Sequence, residues 1–433
     1  MSRPNGNHPI TRRAMLGGAA AAGVVAASQT PVYAAGPRGR RPLDQELIDD
    51  TASSLEEDLI ALRRDIHAHP EGPGNESRTA AAVAELLDEA DLTVTTGVGG
   101  HGVVGVLEGE CPGRTVAYRA DMDAVPVAGQ IGGGDAPAHL CGHDLHTTVG
   151  VGVAQTLAQL RGRLRGTVAF LFQPAEETLT GARAMIDDGV LDQTTPDEIH
   201  ALHCGPFPVG EFAVTPGTGL PGQDRGVLTV TGADAVERAE QLAAEVRALA
   251  TVLPPQTPED LEQLVADLQT PDSPLSRFVF LQARVGGTDT AERAEVEVSY
   301  RCWPEERYGD IREEIGRIAS SHGEVQVSFP PEPFPAMICP EKDGRAVERH
   351  LRRAIGRDSA TVLHAAVPFS GEDFALFLDR LPGSFTYLGV RAPEAEVATS
   401  YPHFGGFDPD ERAIGFGVRA MAGWLAERAR RGR

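Results

Sequence analysis

Residues 139–147 read His-Leu-Cys-Gly-His-Asp-Leu-His-Thr. Cys141 and His143 stand two apart, so in an extended backbone both side chains leave on one side, roughly 7 Å apart. A thiolate and an imidazole at that spacing suit a shared metal ion or a pair of ions. Asp144 and His146 add a carboxylate and a second imidazole, groups that orient metal ligands through hydrogen bonds. Glu176 and Glu177 follow an apolar run at 166–172. In extended backbone neighbouring side chains point opposite ways, so one carboxylate could bind metal while the other faces a bound water. His203 ends another apolar run, and His403 lies in Tyr401-Pro-His-Phe-Gly-Gly-Phe-Asp408, where the glycines permit close backbone approach. The rival chemistry is a Cys141 thiolate nucleophile activated by the nearby histidines. That reading leaves the paired glutamates and the distant histidines without a task.

The elements that must position these groups alternate. Helices are expected over 47–67 and 78–90, and strands over 92–95, 103–107 and 115–119. The last of these runs into Ala120-Asp-Met-Asp123. A helix over 147–159, a strand over 166–172, a helix over 180–188 and a strand over 198–203 follow. This alternation predicts an α/β sheet flanked by helices, with the polar motifs at strand ends. From 226 the pattern becomes strand (226–231), helix (234–253), helical insertion (258–268), strands (277–285 and 294–302), helix (308–322) and strand (324–329). Strand-helix-strand-strand-helix-strand is the ferredoxin-like arrangement. Alternation resumes at 344 and ends in a helix through 429. The expected organisation is a first catalytic part at 43–222, an inserted ferredoxin-like domain at 223–333 and a second catalytic part at 334–433.

The chain has 433 residues, 41% hydrophobic and 23% charged, with a formal net charge of −23. That length suits two or three domains. The acidity argues against nucleic-acid and anionic membrane partners. Residues 1–35 resemble a twin-arginine export signal: Arg12-Arg13, a mildly apolar Gly/Ala/Val run at 17–27, and Val32-Tyr-Ala34 as a cleavage site. The expected location is therefore extracytoplasmic, after export in the folded state. A Pro/Arg-rich linker covers 36–42. The five cysteines (Cys111, Cys141, Cys204, Cys302 and Cys339) are odd in number and lack framework spacing, which argues against a disulfide scaffold. Cys204 reads as a packed thiol, since its side chain should point away from that of His203.

Seven stretches in order resemble the motifs of the M20 metallopeptidases, in the subgroup of N-acyl amino acid amidohydrolases. They are 63–71, 118–127, 139–147, 172–177 with 181–191, Leu202-His203, Ser370-Gly-Glu-Asp-Phe374 and 403–411. The resemblance implies an α/β metallopeptidase catalytic domain with an inserted ferredoxin-like (βαββαβ) lid. It implies a centre of two divalent ions held by Cys141, His143, Glu177, His203 and His403, with Glu176 as general base and acid. Asp121 and Asp123 match the family's Asp-Met-Asp and are expected to orient ligands. Thiolate with imidazoles favours zinc, manganese, cobalt or nickel over magnesium or calcium. The implied reaction is hydrolysis of a small-molecule amide, and the implied assembly is a homodimer through the lid.

Departures from the family concentrate in the lid. The usual Gly-Gly-His-Ala loop is Thr231-Gly-Ala-Asp-Ala-Val-Glu237 here, without a histidine. The usual Asn-Val-Ile-Pro is Gly287-Thr-Asp-Thr-Ala291, and the segment 129–135 is also altered. Loss of one carbonyl-oxygen donor typically slows such enzymes by about 10²–10³-fold. Arg225, Arg284 and Arg301 are the candidate replacements. The alternatives are therefore a divergent dipeptidase or specialised amide hydrolase, or a catalytically weak metal-binding variant.

Overall fold

The computed structural model describes residues 43–286 and 292–430; the expected leader at 1–35, the linker at 36–42 and the stretch at 287–291 lie outside them. The first expected helix is two, α1 (Gln45–Ser53) and α2 (Glu56–Ala68). The Thr51 hydroxyl bonds the Leu47 carbonyl, and the Ser54 hydroxyl bonds the Thr51 carbonyl. Side-chain hydroxyls competing for backbone groups in this way favour a helix end. There follow α3 (Ser77–Glu89), β1 (Thr93–Val98), β2 (Gly102–Glu108), β3 (Cys111–Asp121) and α4 (His143–Gln159). Next come β4 (Arg165–Gln173), α5 (Gly181–Asp187), α6 (Val190–Thr194), β5 (Glu198–Pro208), β6 (Phe212–Val214) and β7 (Gly219–Leu220). The insertion holds β8 (Asp224–Thr231), α7 (Ala235–Arg247), α8 (Pro258–Gln269), β9 (Phe278–Val285), β10 (Arg293–Trp303), α9 (Tyr308–Ser321) and β11 (Val325–Ser328). The chain returns through β12 (Met337–Ile338), α10 (Glu341–Ala354), β13 (Ala360–Val362), α11 (Ala375–Leu378), β14 (Gly383–Arg391) and α12 (Arg412–Arg430).

The large sheet is mixed, in the order β1-β2-β4-β3-β5-β14-β6-β13. Its centre (β4, β3, β5, β14) is parallel, and these strands are apolar on both faces. Parallel strands covered on both sides read as continuous apolar runs, which is why 166–172 and 198–203 look as they do. One face packs on α4 and α12, through residues such as Val149, Leu157, Val418 and Trp424. The other packs on α5 and α11, through Met185, Phe374 and Phe377. Arg428 of α12 reaches Glu198 at the start of β5 (Nε–Oε1 2.7 Å), an ion pair buried at the end of the sheet away from the motifs.

The inserted sheet runs β11-β8-β10-β9, all antiparallel, which is the ferredoxin-like order, with α7 and α9 packed on it around Leu242, Val246 and Ile315. Two details differ from expectation. Helix α7 stops at Arg247, not 253, because the chain then turns onto the sheet: Thr251 N–H donates to the Val279 carbonyl at 2.8 Å. Helix α8 lies within the insertion by sequence, but Leu261, Leu264 and Leu268 join the core of the catalytic sheet. Among the described residues no helix is long and apolar enough to cross a membrane.

Candidate metal centre

Helix α4 begins at His143, four residues earlier than the sequence pattern suggested, so Cys141 and His143 do not lie on a strand. Gly142 between them has φ +85°, a left-handed turn, and a Cβ there would stand 2.5 Å from Cys204 Sγ. Glycine is the residue that accepts both conditions. The turn therefore brings Cys141 and His143 together by a different route from an extended pair. Cys204 is fully buried behind it, as a packed thiol.

Glu176 and Glu177 also depart from the extended reading. They sit in a turn entered through Ala175 (φ +52°) and closed by Leu179 N–H donating to the Glu176 carbonyl at 2.6 Å. Asp123 accepts from both Glu176 N–H (3.1 Å) and Glu177 N–H (2.9 Å), and Glu76 accepts from Ala175 N–H (2.9 Å). The two glutamates consequently face the same way: Glu176 Oε2 is 3.9 Å and Glu177 Oε1 3.8 Å from His143 Nε2.

The five residues expected to bind metal converge. Cys141 Sγ is 3.4 Å from His203 Nε2, and Glu177 Oε1 is 3.4 Å from His403 Nε2. Ligand atoms of Cys141, His143 and His203 lie within 4.8 Å of one another, as do those of Cys141, Glu177 and His403. Metal–ligand bonds of about 2.0–2.3 Å put tetrahedral donors roughly 3.3–3.7 Å apart, which these separations approach. Each histidine commits Nδ1 to the protein: His143 to Asp123 Oδ1 (3.3 Å), His203 to the Cys204 carbonyl (2.8 Å), His403 to the Gly129 carbonyl (3.0 Å). That leaves all three Nε2 atoms for the cluster, the usual second hydrogen bond of a metal-binding histidine. His143 Nε2 and Glu177 Oε1 are buried without a hydrogen-bond partner. Buried polar atoms are rarely left so, and the S, N and O donor set fits borderline divalent ions. His403 itself has φ +71°, held there by Leu140 O accepting from His403 N–H (2.7 Å) and Ile131 N–H donating to His403 O (2.8 Å). A strained backbone at a non-glycine residue is a recurrent mark of functional sites.

Burial works against charge on His143, but Asp121, Asp123 and Glu177 outweigh it and push the imidazole up to about 10. Burial and then Glu177, Glu176 and Asp121 raise the Cys141 thiol well above its ordinary value. Glu176 is raised well above the carboxylate range by burial, then by Glu372, Asp373 and Glu177. This is an acid-rich, water-poor cluster short of positive charge.

The expected orienting groups divide. Asp123 holds His143 and both glutamate amides, as described. Asp121 Oδ1 accepts from His146 Nδ1 (2.6 Å), whose Nε2 accepts from Cys204 N–H (2.7 Å). Both His146 nitrogens are thus spent on protein, and the ring lies tilted beside His203 with centroids 4.5 Å apart. Asp144 corrects the expectation. Its Oδ2 pairs with Arg63 Nε and His67 Nδ1, both at 2.8 Å, and its Oδ1 accepts from Leu145 N–H. As the second residue of a helix it points away from His143, since consecutive helical side chains diverge by about 100°.

Arg119 was not singled out in the sequence, yet it is fully buried and pairs with Asp121, Glu372 (3.0 Å), Asp373 (3.2 Å) and Gln173 (2.9 Å). It ties the ends of β3 and β4 to the Ser370-to-Phe374 motif. Burial pushes Glu372 up to about 7 and Asp373 to about 6, with Arg119 opposing. The only sequence signal was an arginine alternating with Asp121 and Asp123 at the end of an apolar strand. Of the three lid arginines, Arg284 is exposed and paired with Glu297, and Arg225 is exposed. Arg301 is buried against the Pro221 and Gly222 carbonyls (3.3 and 3.4 Å), and Glu176 is among the groups that stabilise its charge. A Cβ at Gly371 would stand 2.6 Å from Arg301 Nη1, so the glycine before Glu372 leaves room for the guanidinium.

Comparison with known proteins shows the family. The model of peptidase family M20/M25/M40 matches residues 117–427. The N-acetylcysteine deacetylase of Bacillus subtilis is 30% identical over 82% of this chain and 93% of its own length. The N-acetyldiaminopimelate deacetylase of Enterococcus faecalis is 29% identical over 86% of this chain and 97% of its own. Among solved structures, the YXEP protein of Bacillus subtilis, a dinuclear metal binding peptidase from the M20 family, superposes with a TM-score of 0.69. It is 26% identical and covers 87% of this chain and 99% of its own.

Proposed function

Because the chain belongs to peptidase family M20/M25/M40, we propose that it is a two-metal amidohydrolase that cleaves the amide of an N-acyl amino acid. The observation that carries the reading is the convergence of three Nε2 atoms, the Cys141 thiol and Glu177, with Glu176 Oε2 3.9 Å from His143 Nε2. Cys141, His143, Glu177, His203 and His403 would hold the ions. When bound, two divalent ions supply Lewis acidity that brings a water pKa toward neutrality and polarises the amide carbonyl.

The protein's own groups do the rest. Glu176, kept proton-hungry by burial and neighbouring acids, accepts the water proton and returns it to the departing amine, which leaves poorly without one. Arg301, buried with the Pro221 and Gly222 carbonyls as its hydrogen-bond acceptors and with Glu176 acting on its charge, takes the substrate carboxylate. The acylated amino acids named for the two deacetylase relatives each carry such a carboxylate, which supports this choice. Asp123 fixes His143 and the glutamate turn together. We further propose that residues 1–35 direct export of the folded, metal-loaded protein.

The test is turnover of a panel of N-acyl amino acids and dipeptides by metal-loaded and chelated protein. Chelator-sensitive release of the amino acid, abolished in Glu176→Gln with metal content unchanged, is the expected result. Metal bound tightly but no cleavage of any acylated amino acid would overturn the reading; cleavage of dipeptides alone would replace it with a dipeptidase.

A further inference from the structure

Tyr387 lies on β14 directly opposite His203 of β5 in a parallel pair. Residues paired in parallel strands project to the same face, so the phenol and the His203 imidazole share the side on which the metal-type cluster is built. The ring is boxed in: His203 meets it edge-on at 6.1 Å, Phe385 at 5.3 Å, and Phe207 lies at 6.3 Å. These neighbours fix the ring, so the hydroxyl cannot turn away to find a partner. Tyr387 is only 7% exposed, and its hydroxyl has no hydrogen-bond partner. Glu372, Tyr401 and Cys141 lie near enough to act on it electrostatically.

Other buried tyrosine hydroxyls lack partners too, but their settings differ. Tyr118 packs on Phe170 in the core beneath α4, Tyr308 lies tilted against Tyr300 inside the lid, and Tyr401 lies outside the strands, edge-on to Phe404. Tyr387 is the one paired in register with a candidate metal ligand. A carbonyl held between the ligand cluster and Glu176 develops negative charge on its oxygen as water adds, and a preplaced donor there is worth far more than in water. We propose that the Tyr387 hydroxyl contacts the substrate as the hydrogen-bond donor to the carbonyl oxygen of the scissile amide. This rests on the amidohydrolase reading above.

Tyr387→Phe keeps the ring and its packing and removes only the donor. With an acetylated amino acid as substrate, kcat should fall about 100-fold while KM changes little, because the bond strengthens in the transition state. Metal content should stay at the wild-type value. Affinity for a phosphinic analogue of the tetrahedral intermediate should fall by a similar factor, with affinity for the product amino acid unchanged; a merely structural tyrosine would not separate those two ligands. Wild-type turnover with kcat and analogue affinity undiminished in Tyr387→Phe would overturn this inference alone. Absence of amide cleavage by the metal-loaded wild type would overturn the function and this inference with it.

Discussion

Asp123 holds His143 with one oxygen, at 3.3 Å from Nδ1, while its two oxygens accept from the amides of Glu176 and Glu177. One carboxylate therefore sets the aim of a candidate ligand and of the adjacent candidate base. Asp123→Ala should weaken metal binding by about 10–100-fold, the usual scale for a group that orients a ligand. Titration calorimetry with zinc or manganese would show it, and unchanged affinity would refute the role.

Asp144 provides the contrast within the same motif. Its partners are Arg63 and His67, so Asp144→Asn should leave metal stoichiometry at the wild-type value. It should lower the melting temperature instead, because Arg63 then lacks its closest buried counter-charge. A fall in metal content in this variant, read by elemental analysis, would return Asp144 to the centre.

His203 and His403 come from positions 200 residues apart to the same cluster. His203→Ala and His403→Ala should each reduce the number of ions retained after dialysis. Unchanged stoichiometry in both would remove them from the ligand set.

The buried Arg119 is the shared counter-charge of Asp121, Glu372 and Asp373. Arg119→Met should destabilise the protein by roughly 3–5 kcal/mol, since removing one member leaves uncompensated buried charge. The urea midpoint measures this.

The Glu198–Arg428 pair makes a pH-dependent prediction. Burial tends to raise the Glu198 pKa, but the His200 imidazole 3.8 Å away and the hydrogen-bonded Arg428 guanidinium outweigh it and hold the carboxyl well below the usual range. A depressed carboxylate stabilises the fold fully above its ordinary pKa of about 4.5 and loses that contribution as pH falls through the depressed value. The stability gap between wild type and Glu198→Gln, roughly 3–5 kcal/mol at pH 7, should therefore stay level down to about pH 5 and narrow below it. A gap that widens in acid would contradict the assignment.

The alternation of strands and helices and the ferredoxin-like insertion were legible because both depend on hydrophobic period, a local property. The five convergent residues were legible through motif resemblance. Their local geometry was not: Gly142 and Ala175 adopt positive φ, and a two-residue spacing cannot distinguish a strand from a left-handed turn into a helix. Asp144 was misassigned for the same reason, since the start of α4 decides which way it points. Arg119 went unnoticed, and Arg301 could not be separated from Arg225 and Arg284, because an arginine in an apolar strand gives no sign of which distant acids or carbonyls it will meet. Tyr387 needed the β5–β14 register, which pairs residues 184 positions apart.

That register also governs how the chain can be assembled. β5 leaves the ribosome long before β14, with the whole lid made in between, so its open edge, bearing Ile199, Ala201 and Leu202, waits for a partner. An unpaired parallel edge of that kind is a template for wrong association. Folding of the catalytic half is thus tied to completion of synthesis, whereas the lid has its own sheet and core and can form first. A nascent chain released before Gly383 would be a soluble lid attached to an adhesive half-sheet.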